Sequence, residues 1–197
     1  MSQPNIGTDI VAPPAGISSG RGFTLFKGLV YTLLVINAGL LYAMASWREV
    51  TEQTGWLMIL AAFEWNSRGL GHRSDGRRHH VPVTLELVGY ALALFCWGAY
   101  AMAGEWQDLA NATLWLLIAA ALAYDLHVPG RYGSWAWRLR NATKAGLYLG
   151  VAGIALGWGL DGEWLELWDA MLWLVCFFVI ELKIFDFENG LRLKTRR

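Results

Sequence analysis

The sequence predicts an all-α membrane protein: six transmembrane helices in three related hairpins, forming a pseudo-threefold bundle with both termini cytoplasmic. Three observations lead there. The apolar residues come in long blocks. Basic and acidic connections alternate between those blocks. A pattern of Trp, Tyr and charge recurs at intervals of 59 and 58 residues.

The chain is 55% hydrophobic and 16% charged, against about 25% charge in an average globular chain. Residues 1–22 are rich in Pro, Gly and Ser and lack the basic-then-apolar order of a signal peptide, so a disordered tail is expected there. A six-span domain is expected over residues 23–188, with hairpins at about 24–66, 83–126 and 142–185, and a basic tail at 189–197. A span needs about 20 apolar residues. The blocks at 24–45, 83–103, 109–126, 143–160 and 164–185 come close to that, and the block at 53–65 needs the polar stretch before it.

The connections set the orientation. "NSRGLGHRSDGRRHH", "PGRYGSWAWRLRNATK" and the C-terminal "LRLKTRR" are basic, whereas "SWREVTEQ", "GEWQDL" and "DGEWLELWD" are short and acidic. Basic loops stay on the cytoplasmic side. The three acidic turns therefore face outward, and a multi-pass protein of a bacterial inner membrane is expected.

The repeat is anchored on Trp47, Trp106 and Trp164, one in each outer turn. Nine residues later stand Trp56, Trp115 and Trp173; sixteen earlier stand Tyr31, Tyr90 and Tyr148. Twenty earlier stand Lys27, Glu86 and Lys144, and seventeen later stand Glu64, Ala123 and Glu181. Such self-similarity is the signature of a repeated supersecondary unit. Six Trp residues, Trp47, Trp106, Trp164, Trp56, Trp115 and Trp173, are expected to anchor the bundle at the membrane interface.

The charges inside the spans are the candidate site. Helix rises about 1.5 Å per residue. Lys27 therefore lies at nearly the depth of Glu64, and Lys144 at that of Glu181, near the cytoplasmic end. One ion pair per hairpin is expected: Lys27 with Glu64 and Lys144 with Glu181. The middle copy departs, with Glu86 for the lysine and Asp125 two residues beyond Ala123. Glu86 is expected to face Lys27 or Lys144 and complete a ring. Ionisable groups in a membrane normally pair and face the bundle interior. Glu64, Glu86, Asp125, Glu181, Lys27 and Lys144 thus form either a structural clasp or an ion-binding gate.

Ser46 with Glu49 fits a capping box, and Asp161 is a candidate cap for the last helix. Glu49, Glu52, Asp108, Glu163 and Glu166 fall in first turns, where the helix dipole favours acid. That reading is preferred to a vestibule collecting cations. Asn37 reads as an interhelical hydrogen bond. Gly39, Gly98, Gly150, Gly153 and Gly157 read as close helix contacts, which makes the fifth helix central or a partner-facing one. "SWAWRLR" reads as a short amphipathic element in the interface.

Several functions are set aside. The zero formal net charge argues against nucleic acid as a partner. Cys96 and Cys176 lie in apolar blocks and read as core residues. His72, Asp75, His79 and His80 sit in a basic loop that suits anionic lipid better than a metal. No catalytic or cofactor motif is present, so no cofactor is expected and enzyme activity is disfavoured. Two functions are carried. One is a channel or transporter for a cation or proton, working through the cytoplasmic-end carboxylates. The other is a non-catalytic accessory or scaffold subunit of a larger membrane complex, with lipid or quinone as a possible ligand. Expected partners are membrane lipid and either a second copy or another membrane subunit.

Overall fold

The computed structural model describes residues 21–69, 80–128 and 134–195. These form six helices: α1 (Arg21–Met44), α2 (Trp47–Gly69), α3 (His80–Ala103), α4 (Trp106–His127), α5 (Trp135–Asp161) and α6 (Trp164–Thr195). Among the described residues there is no strand. The fold is all-α. Two helices, α1 and α3, are long and apolar enough to cross a membrane by length and composition.

The elements are longer than the apolar blocks alone predict. Helix α1 starts at Arg21, inside the stretch expected to be a tail; residues 1–20 lie outside the described residues. "SWAWRLR" is no separate element but the cap and first turns of α5, where Ser134 Oγ accepts from Trp137 N at 3.2 Å. Helix α6 runs on to Thr195, through the expected basic tail. Arg, Lys and Leu are good helix formers, and the helix continues through Asn189 and Gly190, weak formers in that stretch.

Three tight turns join α1 to α2, α3 to α4 and α5 to α6. Gly104 (φ 75°) and Gly162 (φ 86°) stand at equivalent places, two residues before Trp106 and Trp164. After each, an N–H reaches back five residues: Glu105 N to Tyr100 O at 3.1 Å and Glu163 N to Trp158 O at 2.8 Å. This is the glycine-terminated helix end that a left-handed residue permits. The first copy has Ala45 there and uses the expected capping box instead: Ser46 Oγ donates to Glu49 Oε1 at 2.6 Å, and Glu49 N donates to Ser46 Oγ at 3.4 Å. Asp161 does not cap α6; it is the last residue of α5, because the left-handed Gly162 ends that helix first.

Each helix packs on its neighbours in sequence, and α6 packs back on α1 to close the circuit; α4 also meets α6. The closest approach joins two hairpins rather than the arms of one. A Cβ on Gly55 of α2 would lie 2.8 Å from the Gly89 carbonyl oxygen of α3, and one on Gly89 would lie 2.7 Å from that of Gly55. The expected close contacts are corrected accordingly. Gly39, Gly98 and Gly153 border open space, and of that set only Gly150, beside Leu114, and Gly157, beside Gln107, meet a neighbour. Helix α5 is peripheral: Lys144, Val151, Ala155 and Trp158 face inward, while Leu149, Leu156 and Leu160 face out.

One core runs through all six helices. Its centre is aromatic. Trp56 lies 6.5 Å from Trp115 and 6.5 Å from Trp173, ring centre to ring centre. Phe177 stands among them, 4.8 Å from Trp115, 6.1 Å from Trp173 and 6.2 Å from Trp56. These tilted and edge-on arrangements suit the ring quadrupoles. The two sets of repeated Trp therefore differ. Trp47, Trp106 and Trp164 are 56%, 72% and 68% exposed, whereas Trp56, Trp115 and Trp173 are only 4–5% exposed and belong to the core. The expectation that all six are interface anchors is corrected for the second three: nine residues of helix carry them inward past the turn, onto the face shared by α2, α4 and α6.

Candidate functional site

Above the aromatic centre, toward the three turns, lies a cavity of about 60 Å³. Its wall is built from the repeat. Glu49, Asp108 and Glu166 line it, each two residues after the first Trp of its copy. One helical turn deeper come Glu52, Asn111 and Asp169, five residues after. Trp56, Trp115 and Trp173 form the floor with Phe177, and Leu41, Tyr100 and Trp158 enter from the odd helices, each six residues before. Only Gln53 and Phe177 stand outside these triplets. Spacing by three and four residues keeps successive tiers on one helix face. The three hairpins thus place three-membered tiers around a single space.

The deep carboxylates are held firmly. Glu52 accepts from Tyr100 Oη at 2.9 Å and from Trp56 Nε1 at 3.3 Å. Asp169 accepts from Asn37 Nδ2 at 2.6 Å, the interhelical bond expected of Asn37. Trp173 Nε1 donates to Gln53 Oε1 at 2.9 Å. The Gln53 amide also bonds Asp169, and one wall acceptor, Asn111 Oδ1, is buried without completing a hydrogen bond. Among the described residues, none of the five lining carboxylates forms an ion pair. Arg48, the nearest base in sequence, pairs instead with Glu105, tying the α1–α2 turn to the α3–α4 turn. The site therefore gathers five carboxyl groups above an apolar floor.

The opposite end carries the charges singled out from the sequence. Lys27 Nζ lies 3.0 Å from Glu64 Oε2, and Tyr31 Oη donates to Glu64 Oε1 at 2.7 Å, clasping α1 to α2. Lys144 Nζ lies 2.9 Å from Glu181 Oε2 and 2.8 Å from Asp125 Oδ2. Arg140 adds a bond to Asp125 Oδ1 at 2.9 Å, and Tyr148 Oη donates to Glu181 Oε1 at 3.3 Å. This second clasp ties α4, α5 and α6 together. Glu86 is exposed on α3. Among the described residues it makes no ion pair with Lys27 or Lys144, so the expected ring is not closed. The middle copy's acid, displaced to Asp125, has joined the third copy's cluster instead.

Sequence reasoning missed Asp169, Asn111, Gln53, Tyr100 and Arg140. The first two were findable, since both stand at repeat positions; the mix of Glu, Asn and Asp hid the tier. His80 is the exposed first residue of α3, while His72, Asp75 and His79 lie outside the described residues. Cys96 and Cys176 are both buried, with no disulfide between them.

No known protein family matches the chain, and neither a curated protein nor a solved structure is significantly similar to it. What fold and site define is a class: an all-α bundle of helical hairpins around a carboxylate-lined cavity with an aromatic floor.

Proposed function

We propose that this chain is a six-span protein of a bacterial inner membrane, both termini cytoplasmic, that conducts or carries a small cation or proton. The observation that carries the reading is the stack of three repeat-related tiers around one acidic cavity. Repeats that place equivalent groups around a common path are how membrane proteins build a translocation route, and charged rings select its ion. The outward faces of the helices support the membrane setting. Leu25, Leu29, Val35 and Ile36 on α1 and Leu87, Leu94 and Phe95 on α3 are all exposed, a surface that water disfavours and acyl chains accept.

In this reading the outer carboxylates gather the cation and offset its lost hydration. The Trp–Phe floor closes the path in the resting protein. The two ion-pair clasps form a second barrier at the cytoplasmic end, where Lys27 and Lys144 neutralise the acids until they part. The test is flux of H⁺ and K⁺ into proteoliposomes. Glu52→Gln with Asp169→Asn is expected to lower flux at least tenfold; unchanged flux would remove the reading.

An accessory or scaffold role is the second reading. It is favoured by Gly146 and Gly153 of α5, which leave open space on an outward helix face that suits a neighbouring helix. Co-purification of a stoichiometric unrelated membrane subunit after gentle solubilisation would support it over transport.

A further inference from the structure

We infer that the cavity above the tryptophan floor takes an organic cation of the substituted-ammonium class. This rests on the cation reading of the same site and names its ligand. Three features decide between an organic and an inorganic ion.

The first is the spread of the carboxylates. A bare Na⁺- or Ca²⁺-like ion is held by several oxygens converging at short distance. Here the acids lie in two tiers on three helices, and among the described residues no three acidic, His or Cys side chains gather closely enough to hold a metal. Negative charge distributed in that way suits a cation whose own charge is distributed. The second is the floor. Trp56, Trp115, Trp173 and Phe177 present carbon rather than oxygen. An aromatic surface attracts an alkylated ammonium through the ring quadrupole, and the alkyl groups cover the rings. The third is the space itself. At about 60 Å³ it holds about four waters by the usual measure, which admits a compact ammonium and refuses a drug-sized ligand. Its wall keeps the acceptor Asn111 Oδ1 buried without a hydrogen bond from the protein. A buried acceptor in that condition suits a positively charged occupant.

The charge would sit between Glu52 and Asp169, one helical turn above the floor, with the alkyl groups on Trp56 and Trp173. The hydrogen bonds from Tyr100, Trp56 and Asn37 hold both carboxylates in place before the ligand arrives.

The experiment titrates the purified full chain in detergent with tetramethylammonium chloride, and in parallel with NaCl, following tryptophan emission. Tetramethylammonium is expected to give a saturable change that Na⁺ does not give. Glu52→Gln with Asp169→Asn is expected to raise the apparent Kd at least tenfold. Because Glu52 also holds Tyr100 and Trp56, Glu166→Gln, at the rim, serves as the second variant, with an expected rise of about threefold and an unchanged thermal transition. An equal response to Na⁺, or wild-type affinity in both variants, overturns the inference. The transport reading fails separately. Carboxylate-dependent H⁺ or K⁺ flux without tetramethylammonium binding sinks this inference alone, whereas binding without flux of any cation sinks transport and leaves the site.

Discussion

Lys144 is a buried cation held between two carboxylates, its side chain 9% exposed. Removing one partner of a buried charge group leaves the others uncompensated, at a cost of about 3–5 kcal/mol. Lys144→Met is expected to lie in that range by thermal unfolding in detergent. Glu86→Gln, exposed and outside both clasps, is expected to stay within about 0.5 kcal/mol of wild type. The same residues carry a prediction about flux. In Glu64→Gln the neighbouring Lys27 keeps its positive charge and loses its carboxylate partner, whereas in Glu181→Gln Lys144 still has Asp125. An uncompensated Lys27 repels a passing cation, so flux in liposomes should fall in Glu64→Gln and fall less in Glu181→Gln; wild-type flux in Glu64→Gln would place that clasp off the path. These pairs were legible in the sequence for a simple reason. Twenty residues up one helix and seventeen down the next, across a tight turn, return to nearly one level. Arg140 was not legible, because its helix starts earlier than the apolar block does.

Helix contacts turn on two glycines. With the Gly55 and Gly89 backbones in mutual contact, a methyl group on either must push α2 and α3 apart. Overpacking of that kind costs about 1–3 kcal/mol. Gly55→Ala and Gly89→Ala are expected to lower stability by that amount. Gly153→Ala, facing open space, should be neutral or slightly stabilising, since Ala is the better helix former. Equal effects at Gly55 and Gly153 in an unfolding assay would contradict the packing described. The sequence drew attention to the wrong glycines. Spacing of small residues marks a helix face that can approach another, and α5 has such a face; the partner that uses one is decided elsewhere, at α2 and α3.

For the whole bundle, Phe177 is the residue that fills the centre. It is 5% exposed and touches all three core Trp rings. Its repeat equivalents are Leu60 and Ala119, both smaller, so one copy supplies the volume that three identical copies could not fit on a common axis. Phe177→Ala should cost about 3–5 kcal/mol and join the cavity to the space below, raising cation leak through proteoliposomes rather than abolishing it. A stable variant with no rise in leak would put the closed point elsewhere. If the chain crosses the membrane an even number of times, reporter fusions at both ends should read the same side, and the basic connections make that side cytoplasmic; ends on opposite sides would exclude the six-span reading.

The sequence by itself determined heights. The Trp–Trp intervals, the Gly turns and the lysine–glutamate spacing assign each residue a level along the bundle, because helical rise is the same in every copy. It did not determine which way a side chain points around its helix. That direction is normally read from an amphipathic stripe, and helices that are apolar on nearly all sides have little stripe to read. So Trp47 and Trp56, alike in composition and both repeated, had to be told apart by packing, which turned one to the surface and the other to the centre. The same packing gathered Glu52, Asn111 and Asp169 around one space.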